Sequence, residues 1–183
     1  MGVRDKFGLF FPDEKVETIF DVNYEKLKRD GKKGIIFDLD NTLSPWNKES
    51  LNDEVLELFN RLGEMNFSIG ILSNGNGDKI RPFLEELSYP VIFSASKPLL
   101  RGFGKILDRM DLNPQETIMI GDQLLTDILG ANRLSIYSIQ VNPIQPGHEY
   151  TLTKLNRYME KAILKIRKTY RSIFQSEDGA SQS

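Results

Sequence analysis

Residues 34–43, Gly34-Ile35-Ile36-Phe37-Asp38-Leu39-Asp40-Asn41-Thr42-Leu43, decide how the rest of the chain is read. The apolar run follows Asp30-Gly31-Lys32-Lys33 and reads as a strand buried on both faces, as in a parallel sheet. It delivers two aspartates, one residue apart, into a turn without glycine or proline. Open parallel sheets bind ligands at the carboxyl edge, where this pair emerges. Two neighbouring carboxylates repel unless a cation or a proton sits between them, so the pair suits Mg²⁺ and a phosphoryl group. Taken alone, the stretch also fits a strand ending in an Asx-turn with both acids solvated.

Downstream segments answer it. Ser44-Pro45-Trp46-Asn47 is a polar turn, and Leu51 to Leu62 carries a helical stripe of Val55, Leu56, Leu58, Phe59 and Leu62. Phe67 to Leu72 is a second strand, ending in Ser73-Asn74-Gly75-Asn76-Gly77, whose small residues let backbone N–H groups turn toward an anion. A helix from Asp78 to Leu87 precedes a short strand, Pro90 to Phe93. Beyond it Pro98 pushes Lys97 into an extended conformation that can hold its ammonium over the strand ends. Residues 103–110 read as a helix, and the fourth strand, Thr117 to Ile120, ends in Gly121-Asp122, with Asp127 at the start of a following helix whose dipole favours a carboxylate. The fifth strand is Ile136 to Val141, before a Pro/Gly loop holding the single histidine, His148.

Upstream, Pro12 suits the first turn of a helix, and Val16, Ile19, Phe20, Tyr24 and Leu27 recur at near-helical spacing. One or two short amphipathic helices are therefore expected over residues 7–29. The expected organisation is a lead-in over 1–32, a catalytic domain over 33–150 and a basic segment with a low-complexity tail over 151–183. At 183 residues and 39% hydrophobic content the chain can bury a substantial core. A net charge of -2 argues against a whole-domain nucleic-acid binder. No cysteine is present, which removes disulfides, thiolate metal sites and a thiol nucleophile. No apolar run approaches the roughly 18 residues of a spanning helix, and the cytoplasm is the expected address.

The expected architecture is thus α/β: a doubly wound, Rossmann-like parallel sheet of five core strands alternating with helices. Four consecutive strand ends supply Asp38 and Asp40, Ser73, Lys97, and Asp122 with Asp127. Solvated charges would scatter to both edges of a sheet; these share one. In order, Asp38-Leu39-Asp40-Asn41-Thr42, Ser73, Lys97 and Gly121-Asp122 with Asp127 resemble the four motifs of the haloacid dehalogenase-like phosphohydrolases. More narrowly, Lys97-Pro98, Arg101-Gly102-Phe103, Gly121-Asp122-Gln123, Thr126-Asp127 and Asn132-Arg133-Leu134 look like the YqeG-type group of subfamily IIIA, related to phosphatidylglycerophosphate phosphatases.

The resemblance implies roles. Asp38 would attack phosphorus and carry an aspartyl-phosphate, and Asp40 would exchange protons with the leaving alcohol and the incoming water. Mg²⁺ would be held by Asp38, the Asp40 carbonyl and Asp122, with Asp127 in support. Thr42, Ser73, Asn74 and Lys97 would take phosphoryl oxygens. Apart from the resemblance, Arg101 stands near Lys97 in sequence and could contact the substrate headgroup. The short spacings from Asp38 to Ser73 and from Ser73 to Lys97 leave no room for a cap domain, so a bulky substrate could reach the site. A phosphoacceptor receiver domain would need its acceptor acid after strand three and its lysine after strand five; this chain has neither. A non-catalytic scaffold, or a phosphatase of sugar phosphates, nucleotides or phosphoproteins, is the other alternative.

Between Thr151 and Ser172 seven lysines and arginines face Glu160 alone, while Leu152, Leu155, Tyr158, Met159, Ala162, Ile163, Ile166 and Tyr170 recur at helical spacing. The segment is expected to dock its apolar side on the domain or to lean its basic face on an anionic membrane, bringing a phospholipid monoester to the site at the membrane's inner face.

Overall fold

The computed structural model describes residues 8–46 and 48–145. Six strands form one parallel sheet: β1 (Glu14–Lys15), β2 (Gly34–Phe37), β3 (Ser68–Leu72), β4 (Val91–Ile92), β5 (Thr117–Gly121) and β6 (Tyr137–Gln140), in the spatial order β1-β6-β5-β2-β3-β4. β2 lies between β3 and β5, with Ile36 level with Gly70 on one side and Met119 on the other. The chain winds outward from β2 through β3 to β4, then returns across the sheet to β5, so the strand order reverses beside β2. Ligands of open α/β sheets bind at such a reversal.

The expected five-strand frame is present and gains a sixth strand at its edge. Residues around Pro12 do not start a helix: Glu14 and Lys15 pair with Ile139 and Gln140. Proline, which lacks an N–H, is tolerated at the beginning of an edge strand as well as in a first helical turn. Tertiary bonds decide between the two, because the Ser138 N–H donates to the Asp13 carboxylate at 2.9 Å and the Asp13 N–H to the Ser138 carbonyl at 2.9 Å. The helical expectation holds later, in a 3₁₀ turn over Ile19–Asp21 capped by Thr18 and in α1 (Tyr24–Arg29).

The remaining helices are α2 (Asp53–Glu64), α3 (Arg81–Glu86), α4 (Leu100–Met110) and α5 (Leu129–Arg133). Alternate residues of the central strands serve two layers. Ile35, Phe37, Ile69, Ile71, Ile118 and Ile120 pack with α1 and α2 side chains, whereas Ile36, Leu72 and Met119 pack with Phe103, Ile106 and Leu107 of α4. This two-sided burial explains the unbroken apolar runs of the sequence. Asp38 to Ser73 holds one loop, α2 and β3, and Ser73 to Lys97 holds α3 and β4, so no cap domain is inserted. No helix among the described residues is long and apolar enough to cross a membrane. The basic segment expected over 151–183 lies outside the described residues.

Candidate active site

β2 ends at Phe37, and the Asp38 N–H still bonds to the Ile120 carbonyl of β5, at 2.9 Å. Asp38 is therefore fixed by sheet pairing and is only 5% exposed. Its carboxylate lies with those of Asp122 and Asp127, both fully buried, one oxygen from each falling within 4.8 Å of the others. The Lys97 ammonium reaches into this group, donating to Asp38 Oδ1 at 2.5 Å and to the Leu72 carbonyl at 2.8 Å, and pairing with Asp127 Oδ1 at 2.7 Å.

Burial pushes the Asp38 carboxyl up, Lys97 opposes this, and Asp127, Asp122 and Asp40 reinforce it. Burial likewise works against the Lys97 charge, but Asp127 and Asp38 outweigh it and hold the ammonium above its ordinary range. The group crowds three buried carboxylates around one ammonium. Asp38 Oδ2 is in addition buried without a hydrogen-bond partner among the described residues. A hard divalent cation with oxygen ligands answers both the charge and the orphaned oxygen, so the donor set fits Mg²⁺.

Asp127 does not sit on a regular helical turn. It lies in a π-helical turn, Leu124–Ile128, that leads into α5, and its Oδ2 accepts from the Gln123 N–H at 3.1 Å. Such turns often occur where a side chain must be re-aimed at a site. The carboxylate passes so close to β5 that a Cβ on Gly121 would meet it at 2.5 Å. Glycine at the strand end is a condition of this approach.

Asp40 is turned away from the acid group. Its Oδ2 accepts from the Ser73 hydroxyl at 3.0 Å, and that hydroxyl accepts from the Gly75 N–H at 2.9 Å. Burial raises the Asp40 carboxyl, while the Ser73 bond and Lys97 hold it down in part. Two adjacent acids thus have different surroundings: one is paired with an ammonium, the other half-buried and hydrogen-bonded to a hydroxyl.

Asn74 spends its side chain on Lys97, accepting from the Lys97 N–H at 2.6 Å and donating to the Lys97 carbonyl at 3.1 Å. The Thr42 hydroxyl is buried in the turn after Asp40 and has no hydrogen-bond partner among the described residues. Its neighbour Asn41 adopts a left-handed φ of 65°. Arg101 lies elsewhere: it is exposed and lines a cavity with Phe93, Ser96 and Lys105 that includes none of the acids. Sequence reasoning did not single out Leu72 or Gly75. The backbone carbonyl of Leu72 has no side-chain signal, whereas the Gly75 position, where a Cβ would meet Asp40 Oδ2 at 3.1 Å, was hinted at by the glycines of the turn.

A capless parallel sheet that gathers acids, an ammonium and a hydroxyl at the reversal of its strand order is built for hydrolysing phosphate esters. Residues 44–134 match the haloacid dehalogenase-like hydrolase family, and the probable phosphatase YqeG of Bacillus subtilis is 39% identical over 155 residues, 85% of this chain and 90% of that protein. The chain belongs to the haloacid dehalogenase-like hydrolases and is a phosphatase of that family. It is also 25% identical to phosphatidylglycerophosphate phosphatase 1 of Arabidopsis thaliana, over 89% of this chain and 49% of that one. In fold it is similar to a crystal structure of an uncharacterized protein from Listeria monocytogenes serotype 4b, with a TM-score of 0.51 and 20% identity over 74% of this chain and 99% of the other.

Proposed function

We propose that the protein hydrolyses phosphomonoesters with Mg²⁺ through an aspartyl-phosphate on Asp38, and that its substrate is a phospholipid monoester, phosphatidylglycerophosphate foremost. The observation that carries the chemistry is the different environment of the two adjacent acids, Asp38 against Lys97 and Asp40 against Ser73. An Asp38 oxygen attacks phosphorus, the bond from phosphorus to the ester oxygen breaks, and the departing alkoxide takes the proton of Asp40. Water then attacks the phosphoryl group and gives a proton back to Asp40. The bond from phosphorus to Asp38 breaks, releasing inorganic phosphate and restoring the carboxylate.

Burial, which raises the Asp40 carboxyl, favours the proton needed in the first half. Lys97 opposes the burial that favours a protonated Asp38 carboxyl and, with Ser73, Thr42 and the backbone around Asn74, meets the phosphoryl oxygens. Asp38, Asp122 and the Asp40 carbonyl, supported by Asp127, would hold Mg²⁺, which when bound supplies positive charge against the repulsion between carboxylate and phosphate.

The lipid substrate is favoured by the likeness to the Arabidopsis phosphatidylglycerophosphate phosphatase and by the capless site, which a headgroup at a bilayer surface could reach. With it go a cytoplasmic protein held peripherally at the inner face of the membrane and the division of labour between residues 33–150 for catalysis and the basic segment over 151–183 for the surface. The test is phosphate release from phosphatidylglycerophosphate, sugar, nucleotide and peptide monoesters, with Mg²⁺ and then EDTA. Asp38→Asn should abolish release on every substrate with an unchanged fold, and Asp40→Asn should slow it about 10²–10⁴-fold. Full activity of Asp38→Asn, or after exhaustive chelation, would refute the chemistry. A preference for soluble monoesters over the lipid would refute the substrate.

A further inference from the structure

A cleft of about 250 Å³ opens directly over Asp40 and Ser73. Its walls are Leu39, Pro45 and Trp46 on one side and the turn from Gly75 to Ile80 on the other, and its lining includes Lys48 and Lys79. Asp38, Lys97, Asp122 and Asp127 do not line it. In the reaction proposed above, Asp40 is the group that protonates the leaving oxygen. The space that Asp40 lines is therefore the side on which the alcohol sits and departs, and it is separated from the phosphoryl site by Asp40 itself.

The size and charge of this cleft restrict the alcohol. At about 250 Å³ the cleft lies at the small end of ligand pockets, which commonly run from about 300 to 1,000 Å³, so it suits a compact polar group rather than an acyl chain. Its apolar wall, Trp46 with Leu39 and Ile80, suits a short carbon chain. Lys48 and Lys79 are exposed, and neither makes an ion pair within the described residues. Among the described residues Asp78 is the one acid of the lining besides Asp40, and its Oδ2 accepts from Asn76 Nδ2 at 2.7 Å. A neutral alcohol, such as the remainder of a sugar monophosphate, can accept hydrogen bonds from these ammonium groups but brings no negative charge to pair with them.

We propose that the cleft selects a short polyol carrying a second anionic group, a phosphodiester or a second phosphate, which Lys48 and Lys79 hold while Asp40 protonates the ester oxygen between the polyol and the transferred phosphoryl group. This deepens the preceding proposal and rests on its assignment of Asp40. The same chemistry is offered by a lipid headgroup and by a free, water-soluble diester, and nothing in the cleft itself requires the acyl chains.

The test compares three substrates: glycerol 3-phosphate, whose leaving alcohol is uncharged; the deacylated headgroup glycerophosphoglycerophosphate, which adds the phosphodiester but no lipid; and phosphatidylglycerophosphate in phosphatidylcholine vesicles. The unmodified protein should prefer the deacylated headgroup over glycerol 3-phosphate by about tenfold or more in kcat/KM. The Lys48→Ala/Lys79→Ala double variant should lose at least about tenfold of that ratio, mostly through KM, and Lys48→Arg/Lys79→Arg should retain it. Raising the salt concentration should compress the ratio, because the contact is at an exposed rim.

Equal kcat/KM for the two soluble substrates, or a double variant whose losses are the same on both, would overturn the inference. Either result leaves the Asp38 chemistry standing, which the Asp38→Asn variant tests separately. Preference for the soluble headgroup with no further gain from vesicles supports the cleft and removes the membrane from the substrate reading.

Discussion

Asn74 clamps the backbone of Lys97 from both sides: its Oδ1 accepts from the Lys97 N–H at 2.6 Å and its Nδ2 donates to the Lys97 carbonyl at 3.1 Å. The two residues belong to different loops, one after β3 and one after β4, so these bonds set where the lysine side chain begins. Asn74→Ala should leave the loop after β4 free to shift and cost about 1–3 kcal/mol of stability for the two bonds. Because a misplacement of about 1 Å near reacting groups can cost 10²-fold, kcat should fall by a factor on that order. Phosphate-release kinetics beside a thermal melt check this; a variant with unchanged kcat would show that Lys97 is positioned by its carboxylate partners alone.

Gly121 governs the third acid of the site in the same indirect way. Since a Cβ there would meet the Asp127 carboxylate at 2.5 Å, Gly121→Ala must displace Asp127 or the π-helical turn that carries it. Loss of a supporting ligand position typically weakens metal binding about 10–100-fold. The Mg²⁺ concentration for half-maximal activity, and Mg²⁺ binding by calorimetry, should both rise by that factor; unaltered binding would mean that Asp127 takes no part in holding the cation.

Asp38, Ser73 and Asp122 were legible because each closes a short apolar run, and runs buried on both faces leave no polar residue until the strand ends; Lys97 stood out by the proline that follows it and Asp127 by its spacing from Asp122. That pattern located Asp38, Ser73 and Asp122 without tertiary information. Residues 12–15 were not legible, since a two-residue strand has no period and Pro12 is equally at home in a first helical turn; the bonds between Asp13 and Ser138, 125 residues apart, decide the outcome. The work of Asn74 was hidden for a related reason. Its partner is a backbone 23 residues away, and a bond to backbone leaves no trace in the partner's identity. Arg101 was drawn toward the site by its nearness to Lys97 in sequence, whereas the first turn of α4 carries it to a different cavity. The charges of Lys48 and Lys79 stand out only once the cleft between their loops is seen.

Lys97 is a structural cation as well as a phosphate ligand in this arrangement. Lys97→Ala removes the ammonium that Asp38 and Asp127 pair with and leaves both carboxylates buried, and removing one partner of a buried ion pair costs about 3–5 kcal/mol. Mg²⁺ should restore much of that loss, since it compensates the same carboxylates. Thermal melts with Mg²⁺ and with EDTA should therefore differ more for Lys97→Ala than for the unmodified protein. Equal Mg²⁺-dependent shifts in the two would contradict a shared charge balance.

Tyr24 offers a test of the core beneath α1 that is independent of the catalytic groups. Its hydroxyl donates to the Ile19 carbonyl at 2.7 Å, and the side chain is 2% exposed. Burial pushes its phenol far above the ordinary value, with Arg61 opposing only in part. The unfolded chain releases this proton near pH 10, whereas the folded protein retains it. The stabilisation is therefore complete below about pH 10 and is lost as pH climbs from there toward the folded value, at up to about 1.4 kcal/mol per pH unit. Tyr24→Phe removes one hydrogen bond, costing about 0.5–1.5 kcal/mol at neutral pH, and also removes the titrating group. Lysines titrate in the same range in both proteins, so the readout is the difference between their stabilities in urea from pH 7 to pH 11. That difference should shrink, and then reverse in favour of Tyr24→Phe, as the pH rises above about 10. Parallel curves across the whole range would show that the phenol ionises as freely in the folded protein as in the unfolded chain, and that it is not sealed beneath α1.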